Sequence, residues 1–253
     1  MKKPSLIFIH GLRGDHYGLL EIADALRSDF EIYTPDLPGY GEHEALGKQT
    51  TDSYSEWLHE YVTSLNLSQK PIMIGHSMGS IIVSHYLKKY PKDTNEKAIL
   101  LAPIVRSEKQ QKRSDRTAKI LCNGMRKLMN GHQRYRLLKS KFIAFIISRY
   151  LTYDRTRQKY IDRQHYEHSG RFTSTKAVIA DIELSMKEQS IFESDKKLLL
   201  CMGDHDRLTK VENVEKRKAG HKNIKLEVIP GTGHLLNYEQ PNLCADIIRK
   251  FLS

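Results

Sequence analysis

One stretch constrains this 253-residue chain more than any other. Ile72, Met73 and Ile74 form a short apolar run suited to a buried strand, the chain turns through Gly75-His76-Ser77-Met78-Gly79, and an apolar run of helical length continues to about residue 90. A turn this tight between strand and helix leaves little room for side chains at its flanks, which accounts for glycine at 75 and 79. It lifts the Ser77 hydroxyl off the sheet at the start of a helix. There, unpaired backbone N–H groups and the positive end of the helix dipole favour a developing oxyanion. Gly-x-Ser-x-Gly alone arises by chance about one time in ten in a chain of this size. Its place between a strand and a helix is what gives it force.

The flanking sequence repeats that alternation. Residues 6–9 read as a strand ending in His10-Gly11-Leu12-Arg13-Gly14, and 17–28 carry a helical pattern of Leu19, Leu20, Ile22, Ala23, Ala25 and Leu26. Residues 30–34 form a second strand, stopped by Pro35-Asp36-Leu37-Pro38-Gly39-Tyr40-Gly41. A helix over 52–65, with Asp52 or Ser53 as N-cap, presents Trp57, Leu58, Tyr61, Val62 and Leu65 on one face. Strands follow at 97–102, 197–202 and 224–229, with helices over 208–219 and 241–252, the last opened by Pro241. Continuously apolar strands separated by helices imply a doubly wound α/β fold: a mostly or wholly parallel sheet of about six strands, covered on both faces.

Between the strands at 97–102 and 197–202 the alternation stops. Residues 106–190 read as helical and hold 20 basic and 8 acidic side chains, which accounts for the whole net charge of +11. The expected organisation is therefore a core of residues 1–105 and 191–253 with 106–190 inserted as a helical cap or lid. Cys122, Cys201 and Cys244 show neither paired spacing nor a metal-ligand pattern, and Cys201 in its apolar strand reads as a buried reduced thiol. The first apolar run is too short for a secretion signal, and no segment reaches the ~20 apolar residues of a membrane span. The expected location is the cytoplasm.

A serine hydroxyl needs a base to take its proton and an acid to orient that base. In an open parallel sheet both belong in loops after the strands' carboxyl ends. Gly203-Asp204-His205-Asp206 follows one strand and Gly231-Thr232-Gly233-His234 another, giving the order Ser77, Asp206, His234. With His10-Gly11-Leu12, the Asp36–Gly41 loop, the serine turn, and Gly233-His234 followed by Glu239-Gln240-Pro241, the chain resembles the α/β-hydrolase superfamily over residues 5–103 and 195–252, among small esterase, lipase and carbon–carbon-bond hydrolase relatives.

The resemblance implies Ser77 as nucleophile, His234 as general base and then acid, and Asp206, by the family's glycine-x-x-acid spacing, as orienting carboxylate in place of Asp204. The oxyanion hole would be the backbone N–H groups of Leu12 and Met78, with His10 shaping that loop at the edge of the substrate site. No cofactor and no metal is implied. The sheet would lack the family's first two strands, and Glu42-His43 stands where relatives commonly carry a serine.

Other features receive plainer readings. His76 and the Met78 side chain pack around the turn, Asp204 is a solvated turn residue, and Asp36 belongs to turn structure. His165 and His168, three apart on a helix, read as a surface pair because no further ligand completes a metal pattern. The apolar run at 142–147 is read as a lid face, with Phe142, Phe145 and Ile146 touching an acyl chain and flanking Lys and Arg allowing weak contact with an anionic membrane surface. No nucleic-acid motif accompanies the basic segment, so no nucleic-acid partner is expected. The expected activity is hydrolysis of medium-chain or monoacylglycerol-like carboxylic esters. The alternatives are carbon–carbon hydrolysis of a dienoate by the same triad, and a ligand receptor of negligible turnover.

Overall fold

The computed structural model describes residues 2–168, 170–190 and 192–253. Six strands, β1 (Ser5–Ile9), β2 (Glu31–Tyr33), β3 (Ile72–His76), β4 (Lys97–Leu101), β5 (Lys197–Gly203) and β6 (Ile224–Ile229), form one sheet in the order β2-β1-β3-β4-β5-β6, every pair parallel. This is the six-stranded parallel sheet expected. The strands β1, β3 and β4 are apolar at successive positions because both faces are covered. Ile7, Ile9 and Met73 point to one side, among Tyr54, Leu58, Ile81 and Ile82. Leu6, Phe8, Ile72 and Ile74 point to the other, among Ile22, Leu26, Cys244 and Ile248. Full burial of each such side chain favours folding by about 1.5–3 kcal/mol. Among the described residues the short β2 pairs only with β1, and it stays partly exposed at the sheet edge.

The helices of the sheet layers are α1 (Leu20–Leu26), α2 (Thr51–Ser64), α3 (Met78–Lys89), α9 (Val211–Lys218), α10 (Leu236–Glu239) and α11 (Pro241–Leu252). Three differ from the sequence reading. The pattern at 17–28 is divided: a 3-10 turn, His16–Leu19, is held by the Asp15 side chain accepting from the Tyr17 N–H before α1 begins. The α2 N-cap is Thr50, whose hydroxyl accepts from the Ser53 N–H at 3.1 Å; Asp52 lies instead in the first turn, facing the dipole. The α9 helix starts later than residue 208 because the Leu208 and Thr209 N–H groups are committed to the Asp206 carboxylate.

Between β4 and β5 lie α4 (Glu108–Leu128), α5 (Gly131–Leu138), α6 (Lys141–Leu151), α7 (Gln158–His168) and α8 (Thr175–Lys187). Reciprocal capping boxes start α4 (Ser107 with Gln110) and α5 (Asn130 with Gln133). This helical stretch is tied to the sheet layers through α8, where the buried Asp181 accepts from the Tyr40 and Tyr54 hydroxyls at 2.9 and 3.0 Å. Cys122, Cys201 and Cys244 are all buried free thiols. Among the described residues no helix is long and apolar enough to cross a membrane.

Candidate active site

The turn after β3 is built by close approach. A Cβ at Gly75 would overlap the Gly79 backbone, and one at Gly79 would overlap the Ile9 and His10 carbonyls of β1 and its loop. Ser77, between them, takes φ +52°, a left-handed conformation that a non-glycine residue adopts only when its surroundings impose it. The surroundings here are the β4 ladder, through the Ser77 N–H to Leu101 O bond of 2.9 Å, and α3, which begins at the next residue.

Loops from three strand ends then converge. The Ser77 hydroxyl lies 2.9 Å from His234 Nε2, and His234 Nδ1 lies 2.7 Å from Asp206 Oδ2. In the matching tautomer Nδ1–H donates to the carboxylate and Nε2 accepts from the serine. The other Asp206 oxygen accepts from the Leu208 and Thr209 N–H groups at 2.7 and 3.0 Å. Burial opposes ionisation of Asp206, but His234 and these two N–H donors outweigh it and hold the carboxyl below its ordinary pKa. Asp204, its neighbour, is exposed, pairs with His205 at 2.7 Å and accepts from the Thr232 N–H, with no bond to His234.

A second buried carboxylate braces the histidine loop. Glu239 accepts from the N–H groups of Gly233 at 3.1 Å, Tyr153 at 2.9 Å and Asp154 at 2.8 Å, while the His234 N–H donates to Leu151 O at 2.8 Å. The chain leaving α6 is thus bonded directly to the loop that carries His234. His76 lies beneath, and burial together with neighbouring His234 lowers its pKa to about 3, so it is neutral.

The first loop closes the other side. A Cβ on Gly11 would stand 3.0 Å from that of Ser77, so glycine eases the close passage of this segment over the serine. His10 fixes the loop: its Nδ1–H donates to Gly11 O at 2.9 Å, and Nε2 accepts from the Leu37 N–H at 2.9 Å. Burial depresses the His10 pKa, consistent with that neutral tautomer. Its ring lines the cavity, but both nitrogens are engaged by backbone and neither is free for a substrate. Among the described residues the Leu12 and Met78 N–H groups donate to no protein acceptor.

The sequence profile described as alpha/beta hydrolase fold matches residues 4–241. The chain belongs to the α/β-hydrolase fold family. A Xenopus laevis protein named monoacylglycerol lipase abhd6-B is 22% identical over 99% of this chain and 76% of its own. Among solved structures, a thermophilic esterase from Thermogutta terrifontis matches 99% of this chain and 90% of its own with a TM-score of 0.75 at 21% identity. Carboxylesterase CesB from Bacillus subtilis matches with a TM-score of 0.73 at 18% identity, over 99% of this chain and 84% of its own.

In this α/β-hydrolase a cavity of about 350 Å³ opens over Ser77 and His234. Its apolar walls from the helices between β4 and β5 include Ala144, Ile147 and Leu151 of α6 and Ile182 and Met186 of α8. That corrects the sequence reading of α6. Phe142, Phe145 and Ile146 are 70%, 44% and 49% exposed and lie outside the cavity. Residues 144, 147 and 151 share one helix face at spacings of three and four, and 142, 145 and 146 occupy another. Both faces are apolar, so the pattern alone could not say which turns inward.

The histidine pair is a second correction. His165 and His168 both face the cavity, not bulk solvent. His168 Nδ1 lies 3.1 Å from the buried Asp15 carboxylate, and burial together with the Arg13 charge lowers the His165 pKa to about 4. Arg13, also in the wall, was passed over in the sequence. The available signal was a cation immediately after His10-Gly11-Leu12.

Proposed function

We propose that this α/β-hydrolase cleaves carboxylic esters of medium acyl length or monoacylglycerol type, with Ser77, His234 and Asp206 as its catalytic triad and residues 106–190 as a cap over the site. The observation that carries this reading is the continuous hydrogen-bond relay Ser77–His234–Asp206 at 2.9 and 2.7 Å, ending at the floor of a mainly apolar cavity of about 350 Å³.

His234 Nε2 takes the Ser77 proton as Oγ bonds to the ester carbonyl carbon, and Asp206 steadies the imidazolium. The Leu12 and Met78 N–H groups receive the negative charge that moves onto the carbonyl oxygen. Collapse breaks the bond to the alcohol oxygen, which leaves with the His234 proton and gives an acyl-serine. Water then repeats the sequence, its proton passing through His234 back to Ser77 and its hydroxyl to the released acid. The apolar walls Ala144, Ile147 and Ile182 suit an acyl chain.

The test is a series of 4-nitrophenyl esters from acetate to dodecanoate, assayed with wild type and Ser77→Ala. Hydrolysis by the wild type that disappears in a folded Ser77→Ala variant is the expected result. Inertness of the wild type across the series would overturn the ester reading. Activity retained by the variant would overturn the triad. One observation favours a second reading, carbon–carbon hydrolysis of a dienoate: Arg13 supplies a cation in the cavity that a substrate carboxylate could meet.

A further inference from the structure

The cavity holds two arginines, and their guanidinium groups are differently occupied. Arg106 donates to Ser185 O at 2.7 Å and Glu188 O at 3.1 Å, so it is spent on the free carbonyls at the end of α8. Among the described residues the Arg13 guanidinium donates to a single acceptor, Leu138 O at the end of α5, at 2.6 Å. A guanidinium carries five N–H donors in a planar fork. Among the described residues no carboxylate lies within ion-pairing distance of this one. Its charged neighbourhood offers only the Tyr40 phenol, which is fully buried, has its pKa raised well above the usual value by that burial and by Asp181, and stays neutral.

The acid among the described cavity-lining residues, Asp15, is engaged elsewhere, by Arg171 at 3.2 Å, His168 at 3.1 Å and the Tyr17 N–H at 3.0 Å. Burial lowers the Arg13 pKa, yet an arginine keeps its charge. The positive charge also reaches across the cavity, since it helps hold His165 neutral. The backbone of Arg13 sits at φ +59°, one residue beyond the Leu12 N–H.

A half-buried cation lining a cavity without a counter-charge is an unfavourable arrangement unless a ligand completes it. We propose that Arg13 forms an anion subsite inside the substrate cavity, and that the preferred esters carry a carboxylate that pairs with its guanidinium. This rests on the ester-hydrolase reading and narrows its substrate class. Arg13 is then a specificity-determining residue whose fork suits two oxygens of a planar carboxylate. The carboxylate can sit on the acyl chain, as in a half-ester of a dicarboxylic acid, or on the alcohol, and the chemistry at Arg13 is the same.

The experiment compares matched pairs: 4-nitrophenyl hemiadipate with 4-nitrophenyl hexanoate for an acyl-side carboxylate, and 4-carboxyphenyl hexanoate with 4-carbamoylphenyl hexanoate for an alcohol-side one. The expected result is a preference in kcat/KM for the anionic member of one pair, which identifies the side. Arg13→Gln should reduce that anionic-to-neutral ratio roughly 10- to 100-fold, and Arg13→Lys should restore part of it. A role confined to tethering Leu138 would move both members of a pair together and leave the ratio alone.

No anionic preference in either pair, or a ratio unchanged in Arg13→Gln, overturns the proposal. If the wild type hydrolyses none of the four, the ester reading has failed, and the subsite is judged by calorimetric binding of adipate and 4-hydroxybenzoate. Binding present in wild type and lost in Arg13→Gln supports it; absence of binding in wild type overturns it.

Discussion

Replacing Asp181 by asparagine should make the protein more stable at neutral and alkaline pH. Asp181 is fully buried on α8, and its carboxyl receives the Tyr40 hydroxyl at 2.9 Å and the Tyr54 hydroxyl at 3.0 Å. Burial raises its pKa from 3.8 to about 7 despite those two donors. The folded protein therefore holds a proton there that the unfolded chain releases near pH 4, and stability must fall as pH rises between those values. At about 1.4 kcal/mol per pKa unit, full ionisation costs the fold about 4 kcal/mol, and some 2–3 kcal/mol of that develops between pH 5 and pH 8.

Asparagine has nearly the shape and hydrogen-bonding pattern of the protonated acid and cannot ionise. Urea unfolding of wild type and Asp181→Asn at pH 5, 6, 7 and 8 measures the difference directly. With a slope of roughly 2–3 kcal/mol/M, the gap between midpoints should widen by about 1 M in the variant's favour from pH 5 to pH 8. A gap that stays constant, or one that narrows, would refute the reasoning by showing that the tyrosine donors keep the carboxylate ionised at little cost.

Three further outcomes are expected. Asp206→Asn keeps the shape of the acid loop but favours the wrong His234 tautomer, and should lower kcat by about 10⁴-fold with little change in KM, read by ester hydrolysis with a thermal melt as a folding check. Ile147→Trp should shift the optimum of the chain-length series toward shorter acyl groups by filling the cavity, whereas Phe142→Ser, on the outer face of α6, should leave kcat/KM for soluble esters within about twofold.

The core of this molecule was legible because its signals are local. Buried parallel strands are written as short continuous apolar runs, and the turn at Gly75–Gly79 needs glycine wherever the strand is read. Those runs gave the sheet, its parallel sense and the loops in which Ser77, Asp206 and His234 lie. The small misses were at ends: Thr50 caps α2, and α9 starts late because Asp206 holds the N–H groups just before it. Such choices turn on a single hydrogen bond between neighbours, and several residues in a row could have made it.

The helical stretch between β4 and β5 was legible in its composition and charge but not in its orientation. The apolar residues of α6 cover more than one face, so only docking against the core could decide that Ala144, Ile147 and Leu151 turn toward Ser77 and Phe142 turns outward. His165, His168 and Arg13 reach one cavity from a distant helix and an early loop, and no spacing in the chain announces that meeting. The bonds of Asp181 to Tyr40 and Tyr54, and of Glu239 to Tyr153 and Asp154, join segments more than eighty residues apart. Short-range sterics and backbone hydrogen bonding are encoded in neighbouring residues, so the sequence by itself determined the sheet, the turn and the chemistry available at each loop. Which side chains share a buried space depends on how the finished elements pack, and that was decided by the tertiary structure alone.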